Sequence, residues 1–136
     1  MARSDNVLNT GFCPRADRDS PSLFTSALTF SPSSGEDAIL KPSSSDKSGN
    51  GKTKVLAPPM SEFNMLVTNL GKGEKETIKA IKGPSVMLVT AGKGKLKAGG
   101  ETKEAKEGYV FFIGQGTELA IESDEGLELH TAYCEA

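Results

Sequence analysis

Apolar and polar positions alternate in short runs over the second half of the chain. From Glu62 onward the period is two, which is the spacing of side chains on the two faces of a β-strand. Turn residues separate the runs, among them Gly83-Pro84 and Gly99-Gly100. Strand-length runs bounded by such turns predict a mainly β domain, folded as a sandwich or closed barrel with little helix. The predicted strands are residues 63–70, 76–81, 85–90, 94–97, 102–103, 109–113, 118–122 and 127–133.

The same alternation assigns the faces of the strands. In the last run, Leu129 lies on the predicted core side, while Glu128 and His130 lie on the other side. The runs 86–89 and 110–113 are apolar at every position, which is typical of central strands covered on both faces. We therefore expect these two runs to be buried on both sides.

Composition divides the chain into three zones. Residues 1–30 hold a short strand-like piece and one helix, and residues 60–136 hold the barrel. Between them, residues 31–59 are rich in serine, glycine, proline and lysine, which bury too little apolar area to offset the entropy of ordering. This middle zone is predicted to be a flexible connection.

A helix is predicted to follow Pro21. Proline is favoured in the first helical turn, and the preceding Ser20 can accept a hydrogen bond from a free amide there. The apolar residues that follow repeat at helical spacing and form one stripe, which we expect to need a partner surface. They are Leu23, Phe24, Ala27 and Leu28.

Charge and composition exclude several functions. The chain has 136 residues, 16 basic and 18 acidic side chains and no dense basic block, which argues against binding of nucleic acid. Its longest apolar runs are far shorter than the roughly 20 residues that cross a bilayer, and no secretory signal is recognisable, so we expect a cytoplasmic protein. Cys13 and Cys134 are far apart in sequence and are interpreted as reduced thiols.

Several segments together are similar to a known family. Ser4-Asp-Asn-Val7, Gly11-Phe12 and the helix before Leu28-Thr-Phe30 resemble the region that follows the catalytic histidine of type I mannose-6-phosphate isomerases. Further along, the chain resembles the C-terminal cupin domain of that family, whose fungal members also have a long preceding connection. The matching segments are Pro58-Pro-Met-Ser-Glu-Phe63, Gly83-Pro-Ser85, Gly92-Lys-Gly94 and Glu107-Gly-Tyr-Val-Phe-Phe-Ile113.

The resemblance implies a cupin-like jelly-roll barrel from an enzyme that interconverts mannose 6-phosphate and fructose 6-phosphate. Such enzymes use zinc and feed the synthesis of GDP-mannose. The family's zinc ligands lie upstream of the region that matches Met1, so none is carried over and no metal or cofactor is predicted in this chain. Asn9 stands at the position of a family arginine, with Arg3 and Arg15 as nearby substitutes. An amide can donate a hydrogen bond but brings no positive charge, which weakens Asn9 as a catalytic residue.

Other candidate residues favour structural roles. His130 is the single histidine, and a catalytic zinc takes three protein ligands, so His130 is interpreted as a solvent-facing or structural residue and Glu128 as a solvated charge. Gly108 to Gly114 keeps the spacing of a cupin turn without its metal ligands. The pairs Gly92/Gly94 and Gly114/Gly116 are interpreted as hairpin turns. Lys93, Lys95 and Lys97 alternate and so share one face of a strand. This lysine row is interpreted as a charged edge strand, with a site for an acidic partner or a sugar phosphate as the alternative.

Three hypotheses for function remain open. The first is a non-catalytic C-terminal part of a mannose-6-phosphate isomerase, inactive alone, whose partner is the catalytic domain. The second is an enzyme whose site is completed by another chain. The third is a stand-alone carbohydrate-binding or interaction module. The scarcity of rings on which a sugar could stack disfavours it, since the chain has no Trp and only two Tyr.

Overall fold

The chain is described by a computed structural model that covers residues 15, 20–28, 31–59 and 62–135. It divides into two units, Met1–Ile39 and Leu40–Ala136. The first contains helix α1 (Pro21–Ala27), and the strands described lie in the second. These are β1 (Ser43–Ser44), β2 (Thr53–Leu56), β3 (Asn64–Leu70), β4 (Lys75–Ile78), β5 (Ser85–Ala98), β6 (Glu101–Lys106), β7 (Val110–Ile113) and β8 (Leu119–Tyr133).

Helix α1 begins where the sequence predicts. The hydroxyl of Ser20 accepts a hydrogen bond from the amide of Leu23 at 3.2 Å, and Pro21 occupies the first turn, where its missing N–H costs nothing. Along the predicted apolar stripe, Leu23 and Leu28 are exposed and Phe24 is partly buried. The predicted helix is thus confirmed.

Two long strands organise the barrel. β5 and β8 pair antiparallel along most of their length, and each half of each strand also pairs with a different neighbour. The first half of β5 pairs with β7 and its second half with β6, while β8 pairs first with β4 and then with β3. β3 continues through β2 to β1, giving one eight-stranded sheet that folds over its own core.

Glycines allow these long strands to bend. Gly92 has a φ of 84°, and a side chain there would place its Cβ 2.0 Å from the carbonyl oxygen of Gly126 on β8. The pairing of β5 with β8 is irregular here, with bulges beside Ala91 and Gly94. Gly92 and Gly94 therefore lie inside one strand, and their interpretation as a hairpin turn is wrong. Gly116 lies in the turn between β7 and β8, but β7 pairs with β5 and β8 pairs with β3, β4 and β5, so this turn is not a hairpin and that interpretation is wrong too.

The core is built from the alternate positions that the sequence assigned to it. In β8 Leu127, Leu129 and Tyr133 are buried, whereas Glu128 and His130 are not. Strands β3, β4, β5 and β6 and the segment between β4 and β5 contribute further apolar residues, and together they form one cluster. Its members are Leu66, Leu70, Ile78, Ile81, Met87, Val89, Leu96, Ala105, Leu119, Ile121, Leu127, Leu129 and Tyr133.

The predicted flexible connection over residues 31–59 is wrong in its second part, because β1 and β2 belong to the sheet. Thr53 is buried on the core side of β2, and its hydroxyl lies 2.8 Å from that of Thr68 on β3. Residues 48–53 are ordered by hydrogen bonds rather than by apolar burial, and the acceptor at their centre is the carboxylate of Glu76. The order of this segment depends on hydrogen bonds to a distant carboxylate, which its content of apolar residues does not indicate. The three-zone division otherwise stays a prediction.

The outer face of the sheet also differs from the prediction. Val86 and Leu88 on β5, and Val110 and Phe112 on β7, point away from the core and are exposed. The expectation that runs 86–89 and 110–113 are covered on both faces is therefore wrong for the outer side within the part of the chain described. Alternation still holds, since Met87 and Val89 are buried between them.

Candidate functional site

Three polar side chains meet on the outer face where β5 bulges against β8. The hydroxyl of Thr90 donates to Glu128 Oε1 at 2.8 Å and lies 3.2 Å from His130 Nδ1. Glu128 Oε1 and His130 Nδ1 are themselves 3.8 Å apart. Thr90 and Glu128 therefore both approach Nδ1 of His130. In a catalytic triad the nucleophile and the carboxylate contact different nitrogens of the imidazole, so this cluster cannot act as a catalytic triad.

The positions of His130 and Glu128 agree with their interpretation from sequence. Both side chains lie on the non-core side of β8 and are partly exposed. His130 has a hydrogen-bonding neighbour in Thr90, which makes it a satisfied surface histidine. Since its Nδ1 faces a hydroxyl and a single carboxylate, the arrangement offers one imidazole to a metal ion, fewer nitrogen or sulfur ligands than zinc requires.

Glu76 on β4 is the buried carboxylate of this barrel, with 1% of its surface exposed. Its Oε1 accepts from the amides of Asn50 and Thr77 at 2.7 and 2.8 Å. Its Oε2 accepts from the hydroxyls of Ser48 and Thr53 at 2.6 and 3.1 Å and from the amide of Lys52 at 2.7 Å.

These contacts set the charge of Glu76. Burial alone raises the pKa of the Glu76 carboxyl, but the hydrogen bonds from Ser48, Asn50, Thr77 and Lys52 outweigh it and bring the pKa below the ordinary value. A carboxylate whose pKa is lowered and whose two oxygens already accept five hydrogen bonds is a weak base. Glu76 is therefore a structural anion, and sequence reasoning missed it. The signal that could have revealed it is its position two residues before Ile78, on the core side of the same strand.

A cavity opens into the barrel between β5, β6 and β7. It has a volume of about 140 Å³ and is lined mainly by apolar side chains such as Leu96, Phe111 and Leu119. The charged residues of its lining, Glu101 and Lys103, pair with each other at 3.6 Å. The cavity therefore presents apolar walls with one exposed ion pair.

A smaller space of about 10 Å³ shares four lining residues with this cavity and extends to Thr131. Among the described residues, the Thr131 hydroxyl is the buried side-chain oxygen with no hydrogen-bond partner. A space of this size holds about one water molecule. Its polar walls include Ser85 and Thr117, but neither gives Thr131 a partner. This orphan hydroxyl was not foreseen from the sequence.

The lysine row lies on a central strand, so its interpretation as an edge strand is wrong. β5 lies between β8 and β6, and the edge position belongs to β6. Neighbouring strands supply acidic partners: Lys93 pairs with Glu104 at 3.5 Å, and Lys97 approaches Glu122 at 4.0 Å. The row is therefore the basic part of a mixed-charge surface, which is a weaker attraction for an acidic ligand than an unpaired row would be.

Several predicted residues lie outside the described part of the chain. They include Asn9, the candidate for the family arginine position, together with Arg3, Cys13 and the strand-like piece at residues 6–8. Cys134 is described and is a free, exposed thiol.

The segment from Gly108 to Gly114 forms one short strand, β7, and parts of its two flanking turns. Gly108 has a φ of 85°, and its amide donates to the carbonyl of Val89 at 2.9 Å. The segment thus positions β7 on β5, as a barrel needs. Within residues 15, 20–28, 31–59 and 62–135, no three His, Cys, Asp or Glu side chains lie together as a metal site would require.

The chain is similar to known proteins both in sequence and in structure. A model of the family described as phosphomannose isomerase type I C-terminal matches residues 55–101. The mannose-6-phosphate isomerase of Cryptococcus neoformans var. neoformans is 39% identical over 136 residues, covering 100% of this chain and 31% of that protein. The mannose-6-phosphate isomerase of Schizosaccharomyces pombe is 36% identical, covering 99% of this chain and 33% of that protein.

The chain thus spans about a third of the length of these curated relatives. Among solved structures, a cupin 2 conserved barrel domain protein from Salinispora arenicola has a TM-score of 0.54 at 14% identity, covering 81% of this chain and 91% of that one. This likeness concerns the fold, which is a cupin barrel. The described residues include no helix long and apolar enough to cross a membrane. By its sequence, the chain belongs to the type I phosphomannose isomerase family and corresponds to the C-terminal region of that family.

Proposed function

We propose that this chain is the C-terminal, non-catalytic part of a mannose-6-phosphate isomerase. In this proposal it acts in the cytoplasm, within an enzyme that interconverts mannose 6-phosphate and fructose 6-phosphate and so supplies GDP-mannose synthesis. The observation that carries the proposal is the match of the whole chain, at 39% identity, to an enzyme of that name. Its partner is the catalytic part of the enzyme.

Zinc, which the family resemblance implies, does not fit the residues of this chain. A catalytic zinc takes three protein ligands, usually including histidine, and this chain has one histidine. The buried carboxylate, Glu76, already accepts five hydrogen bonds from its own barrel. We therefore place the metal and the proton-transfer chemistry on polypeptide outside this region, and we derive no catalytic step here.

The barrel's own contribution is a rigid support. The paired long strands β5 and β8, and the hydrogen bonds around Glu76, fix the shape of its surface. Asn9 is the position at which this region would approach the substrate, because the resemblance to the family puts it where members have an arginine. A neutral amide there would orient the sugar phosphate less strongly than a guanidinium, which binds phosphate through paired, charge-assisted hydrogen bonds.

The test compares the isolated chain with a chimaera. In the chimaera, the full-length Cryptococcus enzyme carries this chain in place of its matching third. The isolated chain should contain no stoichiometric zinc by elemental analysis and show no isomerase turnover, whereas the chimaera should bind zinc and turn over. Turnover by the isolated chain, or an inactive but folded chimaera, would refute the proposal. In the chimaera, Asn9→Arg should raise kcat/KM, and an unchanged kcat/KM would remove Asn9 from the site.

A further inference from the structure

The outer face of the sheet has an apolar half in which exposed residues are neighbours across strands. Phe112 on β7 lies opposite Val86 on β5, and Val86 lies opposite Ala132 on β8. One step along the strands, Val110 lies opposite Leu88. Directly opposed residues of antiparallel strands share a face, so these side chains form one continuous surface. We call Val86, Leu88, Val110, Phe112 and Ala132 the outer apolar face.

The exposure of this face is large for core-type residues. Phe112 is 74% exposed, Val110 63%, Val86 46% and Leu88 40%. Single exposed apolar residues are common on proteins, but a contiguous set marks an interaction surface. Beside Phe112, an apolar groove of about 200 Å³ runs along Val86 and Ala132 to the thiol of Cys134. The face therefore offers a projecting ring and a groove next to it.

Charge separates this face from the rest of the sheet's outer surface. The other half, formed by the second half of β5 with β6 and the start of β8, bears interleaved lysines and glutamates. Lys106 pairs with Glu104 at 3.1 Å, and Lys75 pairs with Glu122 at 3.2 Å. The outer apolar face consists of five uncharged residues and is bordered on β8 by His130, which lies opposite Leu88. It therefore suits an apolar protein surface rather than a charged ligand.

The length of the relatives indicates which polypeptide covers the outer apolar face. They are about three times as long as the region that this chain matches, so most of their polypeptide lies outside it. The core cluster covers the inner side of the sheet apart from one cavity of about 140 Å³, whereas four residues of the outer apolar face are exposed: Val86, Leu88, Val110 and Phe112. Interfaces between domains of one enzyme resemble protein–protein interfaces and bury such faces. We propose that the outer apolar face docks on the remaining, catalytic polypeptide of the isomerase, an inference that rests on the function proposed above.

Cys134 provides a native reporter for the test, because its exposed thiol lines the groove. The rate of thiol alkylation at Cys134 is measured by mass spectrometry in the isolated chain and in the chimaera described above. Docking should slow alkylation at least tenfold in the chimaera. Lys95→Cys, on the charged half of the sheet, is the control position and should react at the same rate in both proteins.

Matched variants test the face itself. Phe112→Lys in the chimaera should restore most of the alkylation rate at Cys134, because a charged side chain cannot be buried in the apolar interface. Ile39→Lys, which makes the same kind of change at an exposed apolar residue outside the strands, should not. If the chimaera fails to fold, the isolated chain is titrated with the remainder of the Cryptococcus enzyme, and protection of Cys134 should saturate.

The outcomes separate the two proposals. Equal alkylation of Cys134 in the isolated chain and the chimaera, or no protection in the titration, overturns docking even if the chimaera is active. Protection that Phe112→Lys removes, in a chimaera without turnover, supports docking and refutes the proposed function. An isolated chain that sediments as a dimer with Cys134 already protected overturns the inference in favour of a second copy as the occupant.

Discussion

Replacing Glu76 with glutamine removes one charge from the most buried polar network of the barrel. The five donors around the carboxylate are the amides of residues 50, 52 and 77 and the hydroxyls of Ser48 and Thr53. The glutamine NH₂ group would break fewest hydrogen bonds in the place of Oε2, because the hydroxyls of Ser48 and Thr53 there can rotate and accept from it. The backbone amide of Lys52 can only donate, so it would lose its acceptor. Glu76→Gln therefore leaves at least one backbone donor unpaired.

The magnitude follows from these contacts. An unsatisfied buried donor costs about 1–3 kcal/mol, and the remaining hydrogen bonds lose the strengthening that a charged acceptor gives. We expect Glu76→Gln to lower the free energy of unfolding by about 2–4 kcal/mol, measured by urea denaturation followed by circular dichroism. Glu118→Gln makes the same chemical change at an exposed position and is the control. A Glu76→Gln variant as stable as the control, with an unchanged denaturant slope, would refute the reasoning.

The same carboxylate predicts how stability depends on pH. The pKa of Glu76 is lower in the folded protein than in the unfolded chain, although burial opposes this, because the hydrogen bonds from Ser48, Asn50, Thr77 and Lys52 favour the ionised form. Its contribution is therefore fully present above about pH 4.5, the ordinary value, and is lost as the pH falls through the lower folded value. The free energy of unfolding should fall less steeply on acidification in Glu76→Gln than in the wild type. Parallel acid profiles would contradict this.

Two further changes test the bend and the core. Gly92→Ala would combine a φ of 84° with a Cβ 2.0 Å from Gly126 O, and thermal or urea unfolding should show a loss of about 2–5 kcal/mol, whereas Gly35→Ala, in open space, should be tolerated. Wild-type stability in Gly92→Ala would mean that β5 does not bend there. Thr131→Val removes a buried hydroxyl without a partner and keeps the shape of the side chain, so it should stabilise the barrel by about 1 kcal/mol in urea denaturation. A loss of similar size would reveal a hydrogen bond to the hydroxyl.

Much of the fold could be predicted from period-two alternation. It located most strands and the core side of β8, because aliphatic residues such as Leu127 and Leu129 hold several of the inward positions. It could not show that runs 85–90 and 94–97 are one strand. Glycine is found both in turns and in bends, and only the pairing of β5 with β8 decides which role Gly92 has.

The candidate site was harder to predict, because its residues act through partners distant in sequence. Glu76 is 24 residues from Lys52 and 28 from Ser48, so no local pattern indicates that the serine-rich segment is ordered around it. The single histidine was sufficient to argue against a zinc site within the chain. The number of histidines is a property of the sequence, whereas the positions of metal ligands depend on the fold.

Glu76 and Phe112 both break the rule that apolar residues lie inside and charges outside, and they break it in different ways. The donors that Glu76 needs all come from this chain, so its burial is complete without a partner. Phe112 lies beside Val86 on the sheet and still leaves 74% of its surface exposed. If Phe112 belonged to the barrel's own core, its side chain would be buried, as that of Met87, next to Val86 on β5, is buried. The exposure of the Phe112 ring is therefore better explained by an interface with another polypeptide than by a contribution to the stability of the barrel.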